Sequence, residues 1–411
     1  MREAFGGLST DWKEGINWAA VRAWRLQRAR EAMARHGLGA LLLFYDENMR
    51  YVSSTYTPGW NRLKPGLRYV VLCEGREPIV YEQGDIGIHL KVHNPWIPPG
   101  NVRHSYTWIK GAAGPAAQSQ VAKFTTALVH DLEAGVLDKP LGVDFIDINM
   151  LAAFGRAGVT WADGMTPMME ARSIKSPDEQ KALRIVGAIC DTLHYEFTQF
   201  LRPGLTENEV AAFGFAYLYN IPGMEDVEDI IVSSGPNAWP NWRNFSDRII
   251  RPGELVIIDL AALTWNGFKS CVYRTYCAGG SPTPEMRQYY QTAHKWLWDA
   301  IDVVRPGVTT RDIALKWPSA REAWGYQEED QAAANLWGHG LGLAQYDRPV
   351  ISRIWSLDYP EEIRPGMVFA LETQHGKVHE FGVRLEEMLL VTDDGHELLS
   401  TYASDSIIEV G

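Results

Sequence analysis

Three acids and a thiol stand at matched places in two stretches of the chain. In RPGELVIID, Asp259 follows Gly253 by six residues; in RPGMVFALE, Glu372 follows Gly366 by six. Further on, Cys271 lies four residues after the turn glycine Gly267, and Glu386 lies four after Gly382. Each stretch reads as a Pro-Gly turn, an apolar strand ending on a carboxylate, and a second strand returning. Carboxylates from two strands plus a histidine are what a divalent cation takes: hard oxygens with one borderline nitrogen. His339, in LWGHGLGL, is the candidate histidine, because its flanking glycines let backbone approach closely. Taken singly, each has an ordinary structural role, since a cysteine in an apolar strand is usually core. The repeat, joined to the histidine, singles them out.

The elements that must position these groups follow the same duplication. LRPGLTENEVA from Leu201 matches VRPGVTTRDIA from Val304, each a helix end, a turn and a new helix start. Two related halves meeting at a pseudo-two-fold axis would bring Asp259, Cys271, Glu372 and Glu386 together. Asn266-Gly267 predicts a hairpin turn, with Phe268–Tyr276 as a continuous strand carrying Cys271 near its middle. Ahead of this half, a helix is predicted over Trp18–His36, strands over Ala40–Phe44, Tyr69–Cys73, Pro78–Tyr81 and Leu141–Phe145, and a helix over Gln118–Leu137. That alternation predicts an α/β domain over residues 1–165. Ser176-Pro177 is a helix-start signal, and a second domain covers 166–411. Ser53–Pro65 reads as an exposed loop.

Composition narrows the classes. The 411 residues are 46% hydrophobic, enough for large cores. A net charge of −12 and a pI near 5.4 argue against nucleic acid or an anionic membrane as partner. The N-terminus lacks a signal-peptide pattern and no run is long enough to span a membrane, so a cytoplasmic protein is expected. The four cysteines are too few and scattered for a disulfide framework.

Taken together, RSIKSPDE (Arg172–Glu179), LRPGLTENEV, GFKSCVYRT, HGLGL, RPGMV and GVRLEE resemble the creatinase, aminopeptidase P and methionine aminopeptidase superfamily. The resemblance covers roughly Ala171–Val391. It implies an α+β chain: a duplicated pita-bread C-terminal domain preceded by a creatinase-like α/β N-terminal domain, in a homodimer. It places the family's metal-ligand positions on Asp259, Cys271, His339, Glu372 and Glu386. Three departures stand out. Cys271 replaces a metal-bridging aspartate, Tyr346 replaces a second histidine seven residues past His339, and Trp242 stands where aminopeptidase P and creatinase have a histidine. The pattern is closest to the dimethylsulfoniopropionate lyase branch, through Ser234–Trp242, the Asp259–Cys271 spacing and Trp60-Asn61. That branch carries acids at the Ala261 and Gln345 positions; Asp347 is the candidate substitute for the latter.

Three site designs follow. His339, Glu372 and Glu386 with a Cys271 thiolate could hold one divalent metal, zinc or iron in preference to manganese or magnesium. The site could instead be metal-free, with Glu372 and Glu386 as an acid/base pair beside His339 and proton transfer also open to Tyr346 and Asp347. Cys271 as a nucleophile comes last, because neighbouring acids raise a thiol pKa. Among 16 tryptophans, Trp60, Trp239, Trp242 and Trp337 fall in segments expected near the site, and aromatic faces beside acids suit a cation. Arg274, like Arg243, is a candidate fork for a substrate carboxylate. The expected activity is therefore cleavage of a C–S or C–N bond in a small zwitterionic or cationic metabolite. The alternatives are a metal-dependent Xaa-Pro dipeptidase or aminopeptidase, and a non-catalytic binding protein.

Overall fold

A computed structural model of the chain describes residues 11–57, 66–132, 138–240, 244–332 and 336–411. Its contacts divide into two compact units, Trp18–Arg172 and Met1–Asn17 with Ser173–Gly411. Among the described residues no helix is long and apolar enough to cross a membrane.

The first unit is built on a mixed six-stranded sheet. Its strands are β1 (Ala40–Leu43), β2 (Tyr69–Cys73), β3 (Ile79–Glu82), β4 (Val102–His104), β5 (Leu141–Val143) and β6 (Trp161–Asp163), in spatial order β4-β3-β2-β1-β5-β6. β1 pairs antiparallel with β2 and parallel with β5. Both faces of β1 and β2 are buried, which is why they read as unbroken apolar runs. Leu42, Val71, Phe124 and Phe154 share one core cluster, bringing the helices Ala117–Leu132 and Ile148–Ala157 against the sheet. The helix Met165–Ser173 belongs here too: Tyr51 and Arg28 both donate to the Ala171 carbonyl at 2.8 Å.

The second unit shows the duplication. The helix Pro177–Phe200 starts at a reciprocal capping box between Ser176 and Glu179, with Pro177 at its first position. Glu207–Leu218 starts at the Thr206/Glu209 box and Thr310–Ala314 at the Thr309/Asp312 box, so the two RPG-x-T segments build the same turn. Gly253 and Gly366 both have positive φ, +78° and +81°, a conformation that glycine adopts without a Cβ clash.

The strands of this unit are β7 (Met224–Val227), β8 (Ile231–Ser234), β9 (Glu254–Asp259), β10 (Leu263–Trp265), β11 (Phe268–Lys269), β12 (Tyr273–Ala278), β13 (Leu336–Gly340), β14 (Asp347–Ser352), β15 (Val368–Lys377), β16 (Phe381–Val391), β17 (His396–Leu398) and β18 (Ile408–Val410). One sheet runs β18-β12-β9-β8 and another β14-β13-β15-β16-β17; β11-β10-β7 form a small third. Side chains bridge the two larger sheets. The Thr275 hydroxyl donates to the Arg384 carbonyl at 2.7 Å and accepts from the Arg384 N–H at 2.9 Å. The helix Pro284–Ile301 covers the second half, with Leu297 and Ile301 in one cluster with Phe369, Leu371, Val383 and Leu385.

Two expectations fail locally: Ser53, Thr55 and Thr57, read as part of an exposed loop, are buried, with Ser53 ending the helix Asp46–Ser53, and the second strand of the first hairpin is broken. Phe268–Tyr276 is not a continuous strand but β11 and β12, separated by Ser270–Val272. The Ser270 hydroxyl donates to the Leu260 carbonyl and the Ala262 N–H to the Ser270 carbonyl. These bonds pull the chain out of its ladder and place Cys271 in the break.

Candidate metal centre

Each half delivers its groups from adjacent strands. In the first, Asp259 at the end of β9 lies directly opposite Tyr273 in β12. In the second, Glu372 in β15 lies directly opposite Glu386 in β16. His339 sits in β13 opposite Ala370, between glycines that the fold requires. A Cβ at Gly338 would come within 2.7 Å of the Ala370 carbonyl oxygen, and one at Gly340 within 2.5 Å of the Asp347 backbone.

The halves bring Cys271 Sγ, a ring nitrogen of His339 and a carboxylate oxygen of Glu386 within 4.8 Å of one another, all buried. The Cys271 thiol donates to Asp259 Oδ1 at 3.7 Å and accepts from the Gln345 amide at 3.4 Å. His339 Nδ1 lies 3.4 Å from the Gly340 carbonyl. Because a carbonyl only accepts, that contact assigns the proton to Nδ1 and leaves the Nε2 lone pair facing inward. Nε2 is 3.6 Å from Glu386 Oε1. Among the described residues neither oxygen of Glu386 has a hydrogen-bond partner. A buried carboxylate without donors, facing an imidazole lone pair and a thiol, fits a cation held between them.

Electrostatics agree. Burial pushes Glu372 up to about 7, against the opposing charge of Arg384. Burial, reinforced by Glu372, raises Asp259 well above the usual carboxylate range, and burial with Glu372 and Asp259 does the same to Glu386. Burial and these acids raise the Cys271 thiol, and burial lowers His339 to about 4. The cluster therefore resists carrying bare negative charge. A bound dication inverts that balance, since it favours carboxylate, thiolate and neutral imidazole.

The site opens into a cavity of ≈ 610 Å³. Asp259, Cys271, His339 and Glu372 line it at the centre. Glu228, Asp229, Asn244, Tyr273, Gln345, Tyr346 and Arg384 form the remaining polar and aromatic wall. Tyr346 is where the sequence expects a site residue: 54% exposed, with its ring 4.6 Å from that of His339.

Several expected residues lie elsewhere. Arg274 is fully buried behind the site, donating to the carbonyls of Tyr273, Glu386 and Tyr402 and to Glu387, so its fork is already filled. Trp337 stacks on Trp317 at 5.3 Å in the core, and Trp239 packs against Trp324; neither lines the cavity. Asp347 is buried 3.6 Å from Lys175 Nζ and also stays off the cavity wall. Two histidines of the hairpin between Glu372 and Glu386 also stay off the cavity wall: His375 accepts from the Trp324 indole within an aromatic cluster, and His379 occupies the turn at φ +57°. Trp60, Asn61, Trp242 and Arg243 lie outside the described residues.

The sequence reading missed Arg384 and Tyr273. Arg384 donates to Gln374 Oε1 at 2.6 Å and to the Tyr273 hydroxyl at 2.8 Å, and its guanidinium stacks on the Tyr273 ring. The available signal was strand periodicity: Arg384 lies two residues before Glu386, on the same face.

The chain belongs to metallopeptidase family M24, whose model matches residues 181–393. The creatinase/prolidase N-terminal domain model matches residues 25–85, so the second unit is the pita-bread domain of an enzyme superfamily. The probable dipeptidase PepE of Mycobacterium tuberculosis is 30% identical over 248 residues, 60% of this chain and 64% of PepE. The match thus spans just under two thirds of that relative. The dimethylsulfoniopropionate lyase DddP of Roseovarius nubinhibens is 25% identical over 418 residues, covering 98% of this chain and 90% of DddP. The crystal structure of dipeptidase PepE from Mycobacterium ulcerans aligns with a TM-score of 0.73 at 26% identity, covering 96% of this chain and 100% of that one.

Proposed function

We propose that the chain is an enzyme that cleaves a C–S or C–N bond in a small zwitterionic or cationic metabolite, with one divalent metal in its site. The observation that carries this reading is the buried Cys271–His339–Glu386 group, with both Glu386 oxygens unpartnered among the described residues and with Cys271 and His339 lining an acid-walled cavity. Cys271, His339 and Glu386 would hold the ion, flanked by Asp259 and Glu372. A thiolate in the set suits zinc or iron, and the bound ion would supply Lewis acidity. The match to DddP over nearly the whole chain supports the lyase class.

The chain's own groups have separable tasks. Arg384, buried and with its nitrogens donating to Gln374 and Tyr273, holds a positive charge beside Glu372 and so favours the ionised, proton-accepting form of that acid. Glu372, which lines the cavity, would take the proton from the carbon beside the substrate's carboxylate, while the electron pair of the breaking C–S or C–N bond leaves with the heteroatom. Tyr346 shields the His339 ring from water. A homodimer belongs to the same reading, and light scattering in solution checks it.

Dipeptide hydrolysis is the second reading, favoured by the likeness to PepE. Assays of metal-loaded wild type and Glu372→Gln against dimethylsulfoniopropionate and Xaa-Pro dipeptides separate the two. Lyase turnover that falls at least about 100-fold in the variant, the lower range for loss of general acid–base help, supports the first reading. Turnover of dipeptides alone replaces it with the second.

A further inference from the structure

The cavity's charged groups are almost all committed. Asp259, Cys271, His339 and Glu372 surround the proposed ion, and Arg384 is tied to Gln374 and Tyr273. Glu228 pairs with Lys269. Asp229 differs. It is half-buried in the cavity wall, and among the described residues no cationic side chain pairs with it. Burial raises its pKa, with only a backbone N–H opposing that. The backbone holds it in place: the Asp229 N–H donates to the Ala261 carbonyl at 3.2 Å and the Glu228 N–H to the Ala262 carbonyl at 3.4 Å. Both bonds fasten the segment to the turn just past Asp259. Ala261 also lines the cavity, with only a methyl group as side chain. Tyr346 contributes an aromatic face to the same cavity. A half-desolvated carboxylate on a backbone-anchored segment, lining a cavity that also presents an aromatic ring, is a recognition element for a cation.

We propose that Asp229 is a specificity-determining residue that binds the cationic group of the substrate, an alkylated sulfonium or ammonium. The assignment rests on the proposed small-cation activity and names the recognition half of that site.

The test uses the metal-loaded full chain and two probes of one shape. 3-(Trimethylammonio)propionate carries the cation, and 4,4-dimethylpentanoate replaces the nitrogen by carbon. Titration calorimetry on wild type should show the cation binding at least about tenfold tighter, the equivalent of roughly 1.4 kcal/mol. In Asp229→Asn that gap should shrink to about threefold or less, with neutral-probe affinity and metal content unchanged; Asn keeps the size and the backbone bonds. No preference in wild type overturns the assignment. A gap that survives Asp229→Asn, or equal weakening of both probes, does the same, since equal weakening marks a structural role. The reaction reading is tested separately by turnover: loss of the preference in Asp229→Asn without C–S or C–N cleavage leaves Asp229 in place and removes the lyase. Cleavage by a wild type without the preference leaves the lyase and removes Asp229.

Discussion

Replacing Arg274 with glutamine separates a structural arginine from a substrate-binding one. The guanidinium is fully buried and donates to three carbonyls and one carboxylate: Tyr273 at 2.8 Å, Glu386 at 2.7 Å, Tyr402 at 2.6 Å and Glu387 at 3.0 Å. Glutamine is too short to span these groups. Most of the carbonyls would lose their donor, and among the described residues Glu387 would keep the Ser400 hydroxyl at 2.5 Å. Removing one partner of a buried ion pair costs about 3–5 kcal/mol. The urea dependence grows with the surface exposed and for 411 residues exceeds the roughly 1–3 kcal/mol per molar of small proteins, so the midpoint should fall by at least about 0.3 M. The assay is equilibrium urea unfolding, followed by tryptophan fluorescence. Arg274→Lys should recover part of the loss, because the charge beside Glu387 remains while the fork does not. A midpoint matching wild type, with only KM raised, would refute the reasoning and return Arg274 to the substrate.

Other outcomes can be stated more briefly. Cys271→Ala leaves two of the three clustered ligands, so metal retained after dialysis should drop well below wild type; unchanged stoichiometry by elemental analysis excludes Cys271 as a ligand. His194 is buried neutral: the Val272 carbonyl puts its proton on Nε2, and burial, with Arg274 nearby, holds its pKa well below the ordinary value. The unfolded chain therefore binds a proton that the folded one refuses, and stability should fall as pH drops below about 6.5, by up to roughly 1.4 kcal/mol per pH unit. Unfolding curves of wild type and His194→Gln between pH 7 and 5 should diverge, and parallel curves would exclude His194 as a source of acid lability. Trp337→Ala should destabilise by about 3–5 kcal/mol through loss of core packing on Trp317, and a selective rise in KM without lost stability would place Trp337 in the site.

The pairing of Asp259 with Glu372 was legible because a duplicated sequence reports a duplicated backbone. The positive φ of Gly253 and Gly366, and the capping boxes at Thr206 and Thr309, are local devices written in a few adjacent residues. The roles of Arg274 and Trp337 were not legible. Arginine and tryptophan each carry an apolar body and a polar tip, so their types fit a buried network as well as a binding wall. Which of these forms depends on Tyr402, Glu387 and Trp317, remote in sequence. The break at Ser270–Val272 was hidden for the same reason, since it is made by bonds to Leu260 and Ala262 across the hairpin. Asp229 precedes its strand in a stretch that reads as ordinary solvated charge, and only the fold turns it toward a cavity.

That break has an evolutionary consequence. A ligand inside a regular ladder is bound to the register of its neighbours, and replacing it strains the strands on both sides. Cys271 instead sits on a short step anchored by its neighbours' backbone and by the Ser270 hydroxyl. Because those bonds come from the backbone and from Ser270, none of them depends on the side chain at 271. At the proposed metal site, such a step would let one scaffold alter its metal preference through a single substitution.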